Sequence, residues 1–436
     1  VVAYSTFFSP PVLHFRSPWE STLSKLNYFF PDSQDFVDPS FDFLKETRNE
    51  HRVRQRDDLY PHEVFKRDFP FPYDGMLVSK AVVDGLGNGE SKYTRAQRLR
   101  FYRAKMKRFF RLPEQMLSMG DCGAFTYVHH ENPPYRIDEI IDFYEDSQFD
   151  YGVSLDHIVF GYDTPKKIIT GADLDECCRR QQLTLELAEK FLIASKDAHF
   201  QPFGVAHGWN KETYAESVQA LLKMGYKRIT MGGMVPLKTP QILETLAEIK
   251  PHLKTDTQVH LLGIARPESF NDFIRLGVTS IDSTTPLAQA FKDKKNNYHV
   301  VDGDAYVAIR VPQSDGNLTL SRKIKSGEVD QDRARILERL TLKALRAYDN
   351  REIELESTLN VLMEYETLHA GEDKAGKIRA SYMRTLSDRP WEKCDCEVCQ
   401  SIGINVIIFR GAERNRRRGF HNIQVLYKKL QHTLTL

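Results

Sequence analysis

The sequence predicts an α/β protein centred on a (β/α)8 TIM-like barrel. An aromatic-rich N-terminal layer precedes the barrel, and a helical insertion and a cysteine-rich C-terminal subdomain follow it. Three observations predict this. Short apolar runs alternate with amphipathic helical patterns from about residue 73 to 290, which argues for a parallel sheet with helices outside it. No Gly-rich dinucleotide fingerprint follows the first run, so a doubly wound sheet is the second choice. Polar residues recur where the runs end, the position from which barrel enzymes draw their chemistry.

Residues 1–72 carry many aromatics and the prolines Pro10, Pro11, Pro18, Pro31 and Pro39. They are too rich in Phe and Tyr for disorder and read as an irregular layer over a larger body. Residues 73–297 form the barrel region. Strands are expected at Gly75–Ser79, Met116–Met119, Gly152–Leu155, Pro202–Val205, Arg228–Met231, Val259–Leu262 and Val278–Ile281. Helices are expected at Arg136–Gln148, Ala172–Ser195, Lys211–Met224, Thr239–Lys250 and Pro267–Leu276. Seven strands are legible; the eighth that would close a barrel is not. Residues 298–327 read as a β-hairpin region, with alternation over Tyr306–Arg310 before the turn Ser314-Asp-Gly-Asn317. Residues 328–390 read as an insertion of long helices, with apolar spacing at Ile336, Leu340 and Leu345 and at Leu359, Leu362 and Tyr365. Residues 391–436 form the C-terminal segment, with Val425-Leu-Tyr427 on a last helix.

The 436 residues are 41% hydrophobic and 28% charged, with a net charge of +1, as in a soluble globular protein. No apolar run approaches membrane-spanning length and no signal-peptide pattern opens the chain, so no membrane partner and a cytoplasmic location are expected. Of six cysteines, Cys394, Cys396 and Cys399 fall within six residues, and His421 follows. Closed Cys3His sets of this kind suit structural Zn2+ better than a disulfide framework. Cys177 and Cys178 adjoin on a helix and read as packing.

At the expected strand ends stand Asp121, Asp156, His207, the pair Gly232-Gly233, and Asp282. Taken singly, an aspartate ending a strand is more often a helix cap, the histidine a hydrogen-bonded rim residue and the glycines a turn. Together they place three carboxylates, an imidazole and a side-chain-free turn at one mouth. Carboxylates so placed serve glycosidic chemistry, one at the sugar carbon and another at the leaving group's proton. A barrel glycosidase shares that logic but explains neither the metal-type cluster nor two basic runs. The first run is the stretch 95–111, with eight Arg or Lys and no acid, including Arg100, Arg103 and Lys107. It is expected as one amphipathic helix with Leu99, Tyr102, Met106 and Phe109 on its apolar side. The second is Arg414, Arg416, Arg417 and Arg418, expected on a loop closed by the metal. Such runs are usually solvated faces, but two of them in one chain also suit phosphate contacts.

The order of these segments resembles the tRNA-guanine transglycosylase superfamily. Asp121-Cys-Gly-Ala-Phe125 resembles its Asp-Ser-Gly-Gly-Phe, Phe203-Gly-Val-Ala-His-Gly208 its Phe-Gly-Ile-Val-Gln-Gly, and Gly232-Gly-Met234 its Gly-Gly-Leu. Leu262-Gly-Ile-Ala-Arg-Pro267 and Gly277-Val-Thr-Ser-Ile-Asp282 resemble the segments that lead into and carry its nucleophile, and His421-Asn422 with the three cysteines resembles its zinc site. The resemblance implies Asp282 as nucleophile at C1′ and Asp121 as general acid/base. It implies Asp156, His207, Gly232, Gly233, Met234 and Phe125 around the base, with Phe125 stacking on it. His207 stands where the family has Gln, and no acid follows Gly-Gly-Met, where bacterial tRNA enzymes have a glutamate for an aminomethyl-bearing base. An uncharged substituent, as in 7-cyano-7-deazaguanine, is therefore expected. The N-terminal layer, the insertion and the altered pocket are similar to the DpdA branch, which inserts 7-deazaguanines into DNA beside a ParB-like ATPase partner. A tRNA substrate and a catalytically silent partner subunit are the alternatives; the presence of both Asp121 and Asp282 argues against the second.

Overall fold

Eight parallel strands close on themselves in sequence order in the computed structural model, which describes residues 25–32, 34–65, 71–86, 91–292 and 296–433. They are β1 (Asn27–Pro31), β2 (Gly75–Ser79), β3 (Leu117–Asp121), β4 (Tyr151–Val153), β5 (Gln201–Ala206), β6 (Arg228–Met231), β7 (Gln258–Leu261) and β8 (Val278–Asp282). The seven expected strands are present, and the eighth comes from within the expected N-terminal layer. The boundary at residue 72 therefore cuts the barrel: Phe29 of β1 pairs with Gly75 on one side and with Asp282 on the other. Both faces of β1 are buried, Tyr28 and Phe30 in the outer core and Phe29 inside the barrel. A strand buried on both faces shows no polar–apolar alternation, and Pro31 at its end deepened the disguise. Pro10, Pro11 and Pro18 of that layer lie outside the described residues.

Inside the barrel, Phe29, Leu77, Met119, Tyr151, Val153, Phe203 and Val205 form a packed plug below the mouth. Outside it, helices Ile137–Ser147, Ala172–Ala194, Lys211–Met224, Thr239–Ile249 and Phe270–Arg275 follow the expected pattern closely. The basic stretch departs from it. It forms two helices, Arg95–Ala104 and Met106–Phe110, broken at Lys105 with φ 68°. Leu99 is 65% exposed, and the buried side chains are Phe101, Met106, Phe109 and Phe110.

The expected hairpin does not form. Asn317 caps the helix Leu318–Lys325, its Oδ1 accepting from the Leu320 amide at 3.0 Å. Ile309–Arg310 instead pairs in parallel with Ile408–Phe409, far along the chain. An Asp-Gly turn flanked by apolar residues resembles a hairpin, but an Asn beyond it with a free side-chain acceptor starts a helix equally well. The insertion is three helices, Gln331–Asp349, Leu355–Ala370 and Glu372–Asp388. Leu345, Leu359, Leu362 and Tyr365 are buried as expected, whereas Ile336 and Leu340 are about half exposed and Leu337 takes the inward position. The helix Gly411–Thr433, which carries Val425–Tyr427, closes the fold. Among the described residues no helix is long and apolar enough to cross a membrane.

Candidate active site and metal centre

The C-terminal ends of the strands surround a cavity of about 350 Å³, lined among others by Ser79, Asp121, Phe125, Asp156, His207, Gly232, Gly233, Val235, Gly263 and Asp282. The register explains part of this convergence. Ser79 pairs with Asp121 across β2 and β3, and the Ser79 hydroxyl donates to Asp121 Oδ2 at 2.8 Å. The Gly123 amide donates to the same oxygen at 2.9 Å. Burial first, then the charges of Asp156 and, after Ser79's opposing hydrogen bond, of Asp282, push the Asp121 carboxyl up to about 7. At neutral pH the carboxyl is therefore divided between its protonated and ionised forms, the range in which a carboxylic acid can serve acid–base chemistry.

Asp282 meets a different environment. Its Oδ1 accepts from the Gly263 amide at 2.8 Å and lies 3.1 Å from His260 Nε2. Both hydrogen bonds fall on one oxygen and leave Oδ2 for chemistry. His260, Ser79 and Gly263 carry no site signal of their own in the sequence. The one available clue is positional: a histidine in the apolar run Val259–Leu262, at the register that faces the barrel interior.

Asp156 and His207 form a buried pair, with Oδ2 2.8 Å from Nε2. The carboxylate can only accept, so Nε2 carries the proton and donates; Nδ1 of His207 is buried without a hydrogen-bond partner. Gly232 is required by this pair: a Cβ there would lie 2.4 Å from His207 Cε1. Gly233 has φ +73°, which disfavours any side chain. Phe125 lines the cavity and is 54% exposed. Met234 departs from expectation. It is fully buried in the core, and Val235 faces the cavity in its place, because the Gly233 turn directs residue 234 inward.

At the C-terminus, the metal-binding atoms of Cys394, Cys396, Cys399 and His421 lie within 4.8 Å of one another. His421 Nδ1 is 3.4–3.5 Å from each sulfur. Zinc–sulfur and zinc–nitrogen bond lengths of about 2.3 and 2.0 Å at tetrahedral angles give edges of roughly 3.5 Å, so the donors present fit a tetrahedral ion. The other ring nitrogen, Nε2, donates to the His299 carbonyl at 2.8 Å, which leaves Nδ1 free as the ligand. Tyr298 stacks on the ring at 4.1 Å. Asn422 donates to the carbonyls of Pro286, in the helix Thr285–Gln289 after β8, and of Asn297, and ties the centre to that region.

The second basic run does not present itself to solvent. Arg414, Arg417 and Arg418 are 1%, 7% and 0% exposed on the helix Gly411–Thr433, not on a loop. Arg414 binds Glu46 and the Phe43 carbonyl, and Arg417 binds Glu413. Arg418 donates to the carbonyls of Val406, Ile408 and Ala290 and to Asn415. Burial lowers its pKa to about 9. Arg416 is half-buried and pairs with Asp35. These cations clamp the N-terminal segment and the loop before the helix, which excludes Arg414, Arg417 and Arg418 from phosphate contact. Arg418→Met is accordingly expected to lower stability by about 3 kcal/mol, since several buried acceptors lose their donor. Nucleic-acid affinity of the folded fraction should keep its wild-type salt dependence, measured by thermal unfolding alongside a salt titration of binding. Of the first run, Arg100 and Arg103 are exposed. Lys107 pairs with Asp150 at 3.2 Å, just before β4 and so at the barrel end opposite the mouth.

A closed parallel barrel with two unlike carboxylates at its C-terminal mouth is the equipment of a glycosyl-transferring barrel enzyme. The family described as queuine tRNA-ribosyltransferase matches residues 135–407, more than half of the chain, and the chain belongs to that family. It is 72% identical over 414 residues to a Salmonella montevideo protein named DNA-guanine transglycosylase, covering 95% of this chain and 99% of that one. It is 25% identical over 207 residues to a queuine tRNA-ribosyltransferase of Shewanella loihica, covering 45% of this chain and 52% of that one. A Pseudomonas aeruginosa protein of the same name is 26% identical over 133 residues, 30% of this chain and 35% of that one.

Proposed function

We propose that this chain is a guanine transglycosylase that exchanges guanine in DNA for a 7-deazaguanine, 7-cyano-7-deazaguanine, through a covalent glycosyl-aspartate. The observation that carries the chemistry is the pair of carboxylates at one mouth: Asp121, whose carboxyl is pushed up to about 7 by burial and by the charges of Asp156 and Asp282, and Asp282, whose two donors both meet Oδ1. Oδ2 of Asp282 attacks C1′ as the bond from C1′ to the guanine nitrogen breaks, and the proton of Asp121 goes to the departing base. In the return step, the incoming base gives its ring N–H proton to Asp121 and attacks C1′; the electron pair of the ester bond returns to Asp282. C1′ is shielded in a stacked duplex, so the target nucleotide is flipped or single-stranded.

Asp156 accepts from the N1–H and 2-amino edge of the base, and His207 fixes its orientation. The unspent Nδ1 of His207 meets the O6 edge, donating when the ring carries both protons. Gly232 and Gly233 admit the flat ring, and Phe125 stacks on it. The mouth segment after Gly233 carries no acid, which favours the cyano over the aminomethyl base; far better incorporation of the aminomethyl base by the isolated enzyme would reject that preference. The choice of DNA rests on the relative that matches nearly end to end, against tRNA-named relatives that match only partly. Exposed Arg100 and Arg103 are the phosphate contacts of this reading, a ParB-like ATPase is its partner, and its compartment is the cytoplasm.

The Cys3His set is proposed to hold Zn2+ and to tie the C-terminal segment to the barrel; a bound ion there supplies folding energy and no chemistry. Cys399→Ser should abolish stoichiometric zinc by elemental analysis and lower the melting temperature by well over 5 °C, since structural zinc contributes on the order of 10 kcal/mol to small domains. Full zinc occupancy in that variant would remove Cys399 from the ligand set. Nucleoside mass spectrometry of total DNA and total tRNA, with the gene present and deleted, tests the substrate. A 7-deazaguanine that depends on the gene is expected in DNA. Its confinement to tRNA would overturn the DNA reading and favour the tRNA activity named for the family.

A further inference from the structure

Below the mouth, outside the groups assigned so far, His260 of β7 is fully buried between two aromatic rings. Phe29 lies 5.9 Å away at 84° and Phe203 6.3 Å away at 76°, both edge-on, so the imidazole has one orientation. Its Nδ1 is 2.8 Å from Ser280 Oγ, and its Nε2 is 3.1 Å from Asp282 Oδ1. Ser280 and Asp282 are alternate residues of β8 and share the inward face. An ionised Asp282 can only accept, so Nε2 carries the proton; Nδ1 of the neutral ring then accepts the Ser280 hydroxyl hydrogen. The chain Ser280–His260–Asp282 thus sets one tautomer and aims one N–H at the nucleophile's spectator oxygen.

We propose that His260, held by Ser280, is a positioning residue that stabilises Asp282 as leaving group in the second half of base exchange. This inference rests on the covalent role of Asp282 proposed above. In the first half, Oδ2 bonds to C1′ and the carboxylate's charge is consumed, so the His260 hydrogen bond weakens. In the second half, the nitrogen of the incoming base bonds to C1′ after its proton passes to Asp121. The C1′–Oδ2 bond breaks, and its electron pair becomes carboxylate charge shared with Oδ1. That oxygen already faces His260 Nε2–H and the Gly263 amide, donors in place before the charge appears. His260 itself gives up no proton.

The test follows the covalent adduct of the full chain. Enzyme and guanine-containing DNA are mixed, the adduct is isolated by denaturing electrophoresis, and a parallel sample is chased with 7-cyano-7-deazaguanine. His260→Phe keeps the aromatic contacts and removes the donor. It should form adduct but discharge it roughly 10- to 100-fold more slowly, the worth of one hydrogen bond to a charged group. KM for DNA should stay within about twofold, a split that a general packing defect would not produce. His260→Gln, which restores a donor, should recover part of the rate, and Ser280→Ala should slow discharge less than His260→Phe. Wild-type discharge in folded His260→Phe, or a loss confined to KM, overturns the proposal. Should both His260 variants fail to fold, Ser280→Ala decides: slowed discharge supports the proposal and an unchanged rate overturns it. Adduct formed by Asp282→Asn would overturn the covalent reading beneath it, an outcome separate from any His260 effect.

Discussion

Asp282→Asn is expected to lower base exchange by at least about 10⁴-fold, the scale on which removal of a covalent nucleophile acts. The substitution keeps size and shape, so the Gly263 amide still finds an oxygen at Oδ1, and the fold should persist. The proposed role as nucleophile rests on its surroundings: it is 5% exposed, lines the cavity, and takes the His260 and Gly263 hydrogen bonds on one oxygen. Binding of nucleic acid should survive, because positioning depends on surfaces far larger than one carboxylate. Release of labelled guanine from DNA, measured beside a binding titration, checks both halves. Unchanged exchange would remove Asp282 from the chemistry.

Asp121→Asn is expected to lower exchange by about 10²- to 10⁴-fold, the range for loss of a general acid–base group. It should also separate activity from stability. The folded-state pKa of Asp121 is raised to about 7 against an ordinary value of 3.8. Between those values the folded state binds more protons than the unfolded state, so its stability falls as pH rises from about 4 to about 7. At roughly 1.4 kcal/mol per unit, the ionised group costs the fold on the order of a few kcal/mol by pH 8. Asparagine never ionises. The variant should therefore gain on wild type steadily between pH 4 and pH 8 in denaturant unfolding, while losing activity throughout that range. The wild-type first half-reaction should weaken above about pH 7, as the acid is lost. A stability difference that does not change with pH would show that Asp121 carries no raised pKa.

Much of the mouth was legible in the sequence because strand ends are one-dimensional signals. Asp121, Asp156, His207 and Asp282 each follow an apolar run, and the barrel turns that spacing into a ring. What stayed hidden depends on partners distant in the chain. β1 is an aromatic run without alternation, and only its pairing with Asp282 and Gly75 marks it as a strand. The arginines of 414–418 look like a solvated stripe until Glu46, Phe43 and the 406–408 carbonyls are placed around them. Met234 reads as a pocket residue because its neighbours are; the left-handed Gly233 reverses its direction. His260 looks like one more strand residue, and only the β7–β8 register brings its ring to Ser280 and Asp282.

Arg417 on the last helix binds the Asp38 carbonyl and Glu413, and Glu413 in turn accepts from the Asp38 amide at 3.1 Å. Tyr427 donates to Asp74 at 2.9 Å, just before β2. The C-terminal helix is thus fastened to the segments flanking β1 and β2, while Asn422 and the metal-type cluster fasten it behind β8. A basic run that suggests a binding surface is used here to join segments on either side of the β1–β8 seam.

The most direct test of the central claim is the covalent intermediate itself. The full chain is incubated with guanine-containing DNA, quenched in denaturant, digested and sequenced by mass spectrometry. The account predicts a deoxyribose-linked peptide whose modified residue is Asp282, discharged when 7-cyano-7-deazaguanine is added before the quench. A sugar attached at another residue, or guanine exchanged in DNA with the peptide bearing Asp282 unmodified at every quench time, would contradict it.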